Sequence, residues 1–297
     1  MYKILSLDGG GVRGYLTCLL LAHLEDKTGK KVGDMFDLVV GTSSGAFLTG
    51  CLDSLYASYS ASLLRDSLAK RLFKRNSFSF NTMLRSKYNS KSRCEAIEEV
   101  LSFKSIKNYD YAILSYDLLS RRPVIFNSLL EEDSKSLFTG KYSIDKAVCA
   151  SSAAPIYWNP YKLDDMLLVD GAFLSNDPTS VGIKLALDQG INIEDLLIVN
   201  IGTGLNTRSY KLNKGSNPIK WLVPTFNVLT TSQSQLTNML YTNKYINYFS
   251  LNCDLLEAND DIDDISIDNF KALERESSKI ILNNQEDIEK IVNKLLK

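Results

Sequence analysis

Leu38-Val39-Val40-Gly41-Thr42-Ser43-Ser44-Gly45-Ala46-Phe47-Leu48 is an apolar β-type run, a G-x-S-x-G turn and an apolar stretch with helical spacing. Strand, turn, helix is the setting of a nucleophile elbow. Gly41 and Gly45 let strand and helix crowd a strained turn, so the Ser43 hydroxyl stands clear of the backbone at a sheet edge, and Ser43 is the candidate nucleophile. Ser44, its neighbour, is read as a turn hydrogen-bond donor. Upstream, Asp8-Gly9-Gly10-Gly11-Val12-Arg13-Gly14 follows the strand-like Ile4-Leu5-Ser6-Leu7 and opens a helix expected over 12–28, stopped by Gly29. Its backbone N–H groups at Gly9, Gly10 and Gly11 converge as an oxyanion hole would. Arg13 either fixes this loop, by itself or paired with Asp8 or Asp170, or faces a lipid phosphate.

Gly9, Gly11 and Gly14 also spell G-x-G-x-x-G. A dinucleotide site wants an acid at the end of the next strand to hold the ribose, and here that strand ends in Gly41-Thr42-Ser43. That mismatch argues against a dinucleotide site, and no cofactor is expected. Nor is a metal, because the sequence carries no histidine cluster and no calcium-loop spelling.

A serine nucleophile needs a neighbour to take its proton. The one histidine, His23, lies nine residues past Gly14 on the first helix, about 14 Å down its axis, out of reach. Asp170, at the end of the strand Met166-Leu-Leu-Val169, is the best-placed base, with Gly171 allowing close approach. Asp164, Asp165 and Asp177 are the alternatives. Further strands are expected at Tyr111–Tyr116 and Pro123–Asn127, as a hairpin or as neighbours, at Leu196–Ile201 and at Tyr245–Leu251. Runs apolar on both faces alternate with helical stretches, so the fold class is α/β, three layers with a mostly parallel central sheet. One domain is expected over 1–297, with its core motifs in about 1–205 and a C-terminal strand and amphipathic helices in 206–297.

Residues 65–93 hold nine basic side chains and one acid, Asp66, with Phe73, Phe78, Phe80 and Tyr88 between them. This is read as a solvated face or a surface for anionic lipid. From Gly204 to about Thr231 the chain reads as loop, with Trp221-Leu-Val-Pro224 as a packed helix turn or a membrane plug. Residues 254–268 carry seven acids and no base, read as a solvated loop. Ile288, Ile291, Val292, Leu295 and Leu296 mark a final amphipathic helix that docks on the core.

The 297 residues balance 34 Lys and Arg against 35 acids, so no global charge pulls toward nucleic acid, and no nucleic-acid partner is expected. Five cysteines, odd in number and never in C-x-x-C, argue against a disulfide frame. No apolar run approaches a membrane span, and the first residues already read as a core strand, so the expectation is a cytoplasmic protein, peripheral to membranes when active.

D-G-G-G-x-R-G, then G-T-S-S-G, then Asp170-Gly171-Ala172 resembles the patatin-like phospholipases, lipid acyl hydrolases with a Ser-Asp dyad. The resemblance extends through Ala150-Ser151-Ser152-Ala153-Ala154-Pro155, Asn176-Asp177-Pro178, Ile201-Gly202-Thr203-Gly204 and Asp263-Asp264-x-Ser266-x-x-Asn269, in matching order over about the first 270 residues. It implies a patatin-like fold, a phospholipid or other acyl-lipid substrate, Ser43 and Asp170 as the dyad, and a basic residue at Arg13. It also brings in relatives that are injected toxins or antiphage effectors, hence a small-molecule or protein activator. Two rivals stay open: a silent scaffold of the same fold, and a nucleotide-binding regulator.

Overall fold

The computed structural model describes residues 1–76, 86–101, 106–129, 138–139, 142–205, 207–209, 221–242 and 247–297. In order these form β1 (Tyr2–Leu7), α1 (Gly14–Thr28), β2 (Leu38–Gly41), α2 (Ser44–Cys51), α3 (Ala57–Leu63), α4 (Ala69–Leu72), α5 (Ser90–Leu101), the hairpin β3 (Asp110–Asp117) and β4 (Arg122–Asn127), and β5 (Phe138–Thr139). Then come α6 (Ile144–Ser151), β6 (Tyr161–Leu163), β7 (Met166–Asp170), α7 (Thr179–Asp188), β8 (Leu196–Ile201), α8 (Leu222–Tyr241), β9 (Asn247–Leu251), α9 (Ile267–Asn283) and α10 (Gln285–Leu295).

In β1, Leu5 and Leu7 enter one apolar cluster and Ile4 another, the period-two alternation of a strand covered on both faces. β2 and β8 divide the same way: Val39, Leu197 and Val199 on one side, Leu38, Val40, Leu196 and Ile198 on the other. The larger cluster packs under α1, α2, α6, α9 and α10, the smaller under α7, giving three layers.

The described strands join one sheet, ordered β5-β4-β3-β2-β1-β8-β9, with β7 on β3 and β6 on β7. From β9 to β3 every pairing is parallel, as the apolar strands require. β7 differs: it runs antiparallel to β3 and so approaches the carboxyl ends of β1 and β2 from the opposite direction. Its register matters. Gly41 lies opposite Ile113, and Ser115, two residues further, lies opposite Asp170, so Asp170 stands level with Ser43.

Two expectations are corrected. The loop expected up to Thr231 is helical from Leu222, because Pro224 falls in the first turn of α8, where its missing N–H leaves no bond unmade. The acidic stretch 254–268 is packed. Ile262 is buried, Asp263 accepts from Tyr88 Oη at 2.6 Å and pairs with Lys87, and Ser266 caps α9 by accepting the Asn269 N–H at 3.2 Å. The expected helix ends hold elsewhere: Gly29 closes α1 in the left-handed conformation, and α10 docks through Ile288, Ile291 and Leu295.

Candidate active site

Ser43 sits between β2 and α2 at φ 54° and ψ −112°, outside the ordinary regions and costing about 1–3 kcal/mol for a residue with a side chain. The surroundings hold it there. A methyl on Gly45 would overlap the Leu7 carbonyl oxygen, so α2 lies directly on β1, and a methyl on Gly41 would meet Thr49 and Gly45. The Ser43 N–H donates to Ser151 Oγ on α6 at 2.9 Å, and Thr42 Oγ1 donates to the Ser175 carbonyl at 2.8 Å. The Ser43 hydroxyl donates to Asp170 Oδ2 at 2.8 Å.

Asp170 is 2% exposed. Its other oxygen accepts the Ala172 N–H at 2.9 Å, and a methyl on Gly171 would overlap the Leu114 carbonyl, so the turn lies flat on β3. Burial pushes the Asp170 carboxyl up to about 6, against the pull of the Ala172 N–H, the Ser43 hydroxyl and the Arg93 charge. The alternatives fall elsewhere. Asp164 and Asp165 are exposed, and Asp177 is buried beneath the site, held by Ser6 Oγ and the Thr179 N–H. His23 is half-buried in a separate cleft between α1 and α10.

The glycine turn meets Ser43 and Asp170 from the other side. Gly9 departs from the expectation: its N–H donates to the Asn176 carbonyl at 3.1 Å, so it contributes closeness rather than a donor, leaving no room for a side chain between Asn176 and Ser43. The N–H groups of Gly10 and Gly11 find no acceptor among the described residues. Arg13 fixes the loop through Nε to the Gly10 carbonyl at 3.3 Å, and Gly14 lets α1 start against Ser44. The Val12 N–H donates to the Ile262 carbonyl at 2.9 Å, so the acidic stretch buttresses this turn. Asp8 accepts from Asn200 Nδ2 at 2.7 Å and from Ser234 Oγ of α8 at 3.1 Å. Burial, then the neighbouring Asp177 charge, raises its pKa well above the usual carboxylate range, which favours a proton held within this pair.

Two clefts meet at Gly11, Ser43 and Ile262. One is apolar and runs inward along Phe47, Leu64, Leu72, Phe73, Ile97 and Trp158, with Arg93 in its wall. The other opens past Arg13 and Asp170 to Phe226, Asn227 and Thr230 of α8. From Trp221 to Tyr241 there is no charged residue, and Trp221, Leu222, Val228, Leu229, Leu236, Met239 and Leu240 are exposed. Phe226 packs on Phe173, just past Asp170, with ring centres 5.6 Å apart.

Most of the basic stretch is the solvated face expected of it, with Lys70, Lys74 and Arg75 exposed, and Arg93 departs from that reading. Arg65, Arg71, Lys87 and Lys91 lie in ion pairs with Asp66, Glu99, Asp263 and Glu95, while Arg93, Phe73 and Tyr88 are buried. Phe78, Phe80 and Arg85 lie outside the described residues. Sequence reasoning placed Ser151 and Asn176 in matching motifs without a role, caught only the start of α8, and missed Asn200. The signal for Asn200 was a polar residue inside an otherwise apolar strand.

A family model described as patatin-like phospholipase matches residues 5–183. Over 276 aligned residues the chain is 24% identical to Patatin of Solanum tuberosum, covering 80% of this chain and 71% of that protein. Patatin-2-Kuras 1 of the same plant is 25% identical over 80% of this chain and 73% of its own. The solved structure of VipD from Legionella pneumophila aligns with 94% of this chain and 67% of that one, at 11% identity and a TM-score of 0.44. With more than half of its length matched by the family model, the chain belongs to the patatin-like phospholipase family.

Proposed function

We propose that the protein is a phospholipase A-type lipid acyl hydrolase that cleaves fatty-acyl esters of membrane lipids through Ser43 and Asp170. The observation that carries this is the 2.8 Å hydrogen bond from Ser43 Oγ to a buried carboxylate, at the junction of an apolar cleft and a more polar one. Ser43 Oγ attacks the ester carbonyl carbon while its proton passes to Asp170. The C–O bond to the lipid alcohol then breaks, and that alcohol takes the proton. Water gives a proton to Asp170 and attacks the acyl-enzyme; Ser43 leaves with the proton returned, releasing the fatty acid. A base near 6 suits this better than an ordinary aspartate, being closer to the working pH yet still ionised there. The Gly10 and Gly11 N–H groups receive the negative charge on the carbonyl oxygen, each worth roughly 3 kcal/mol.

The membrane face in this reading is α8 rather than the basic stretch. Leu222, Leu229, Leu236 and Leu240 share one stripe of a helix without charge, and the same helix borders the more polar cleft. No described helix is long and apolar enough to cross a membrane, so α8 lies along the lipid surface.

A fluorophosphonate probe tests the nucleophile. Labelling at Ser43 is expected in the wild type, absent in Ser43→Ala and much slower in Asp170→Asn. Hydrolysis of a p-nitrophenyl acyl ester should fall nearly equally in both variants and in the double variant, while His23→Ala and added EDTA leave it intact. Near-normal turnover in Asp170→Asn would overturn the assignment.

A further inference from the structure

Arg93 is 1% exposed, and its guanidinium carries a permanent charge. Among the described residues no carboxylate lies within ion-pair distance, though its charge still acts on Asp170. One terminal nitrogen donates to Ser152 Oγ at 2.7 Å, the other approaches Cys94 Sγ at 3.7 Å, and Nε has no acceptor. Its planar group lies over Trp158, 5.2 Å from the ring centre, and the indole N–H of Trp158 is also without an acceptor. Ser44 Oγ, expected from the sequence to bond within its turn, is unpartnered as well. Six buried side-chain polar atoms lack a partner among the described residues, and these three all belong to the apolar cleft beside Ser43. Native proteins leave few such atoms, and an unpaired buried cation is the costliest kind. An apolar cleft for a plain hydrocarbon chain has no use for two donors that cannot accept.

The donors lie on the inner cleft, which meets the more polar one at Ser43. A lipid's polar alcohol side suits the more polar cleft, beside Arg13, Asn227 and Thr230, and its hydrocarbon the apolar one, so what reaches Arg93 is the acyl chain. Arg93 is also close to the nucleophile: it binds Ser152, whose neighbour Ser151 holds the Ser43 N–H. We propose that Arg93 and Trp158, with Ser44, form a subsite for an anionic oxygen group carried on the substrate's acyl chain, so that the enzyme prefers carboxylate-bearing, oxidised chains to plain ones. The carboxylate would neutralise the buried charge and, with a small turn of the two side chains toward the cleft, accept from Arg93 Nε and Trp158 Nε1.

The kinetic arm of the test rests on Ser43 as nucleophile; the binding arm does not. In the wild type, p-nitrophenyl half-esters of six-, eight- and ten-carbon dicarboxylic acids are compared with the plain esters of equal length. At one length or more the half-ester should win by at least about tenfold in kcat/KM, since a site built for a polar group rejects the analogue lacking it. The ratio should fall to about one or below in Arg93→Met and shrink in Trp158→Phe, which keeps the ring and loses the donor. Equal or poorer turnover of every half-ester would overturn the subsite while leaving the hydrolase reading intact. A gain seen only when the carboxylate sits on the alcohol, as in 4-carboxyphenyl against phenyl hexanoate, would overturn it too. Calorimetry on Ser43→Ala provides the second arm: octanedioate should bind at least about tenfold more tightly than octanoate, and equal binding overturns the proposal even if no ester is turned over.

Discussion

As the proposed base, Asp170 combines two demands that pull against each other: it would have to be ionised to accept a proton, and it is buried where ionisation is costly. Activity should therefore rise with pH through about 6 and then level, read as kcat/KM against pH. Stability moves the other way. With its pKa raised from 3.8 to about 6 on folding, this carboxyl favours the folded state fully below the unfolded value and loses that contribution as pH climbs through 6. The difference is on the order of 3 kcal/mol at neutral pH, from 1.36 kcal/mol per unit. Asp170→Asn should therefore unfold at a higher temperature than the wild type at pH 7.5, with the gap closing near pH 4, while losing turnover. Ser43 and Asp170 were legible because each stands in a turn whose glycines mark a backbone approach. Arg93 was not, since nine basic residues in one run read as solvated. Its own helix held the correction: Arg93, Ala96, Ile97 and Leu101 fall at i, i+3, i+4 and i+8, one buried face of α5.

At the scale of elements, the G-x-S-x-G turn stands or falls with the contact between α2 and β1. Gly45→Ala would drive a methyl into the Leu7 carbonyl, and a loss of about 3 kcal/mol or failure to fold is expected by denaturant titration. Ser266→Ala, which removes the α9 cap, should cost only about 1 kcal/mol. That the sheet is mostly parallel was inferable from apolar runs, but neither the strand order nor the direction of β7 was, because a short apolar strand fits either pairing. The acidic stretch hid its role for a different reason. It supports the glycine turn through the Ile262 backbone carbonyl, a group every residue carries and no side chain announces.

For the whole molecule, the more polar cleft and the apolar stripe of α8 fix how it would lie on lipid. Replacing Leu222, Leu229 and Leu240 with serine should weaken binding to vesicles by about a hundredfold or more, roughly 1 kcal/mol or above for each side chain, with little dependence on salt. Neutralising Lys70 and Lys74 should have a smaller effect that salt removes. Composition said nothing of this, since a net charge of −1 and average hydrophobicity conceal one uncharged helix. The hydrogen bond between Val12 and Ile262 also has a bearing on synthesis. A growing chain contains Ser43 early and Asp170 midway, yet the turn that would hold the oxyanion lacks its brace until residue 262 has been made and folded back onto residue 12. On the proposed reading, the site stays incomplete until residue 262 is in place.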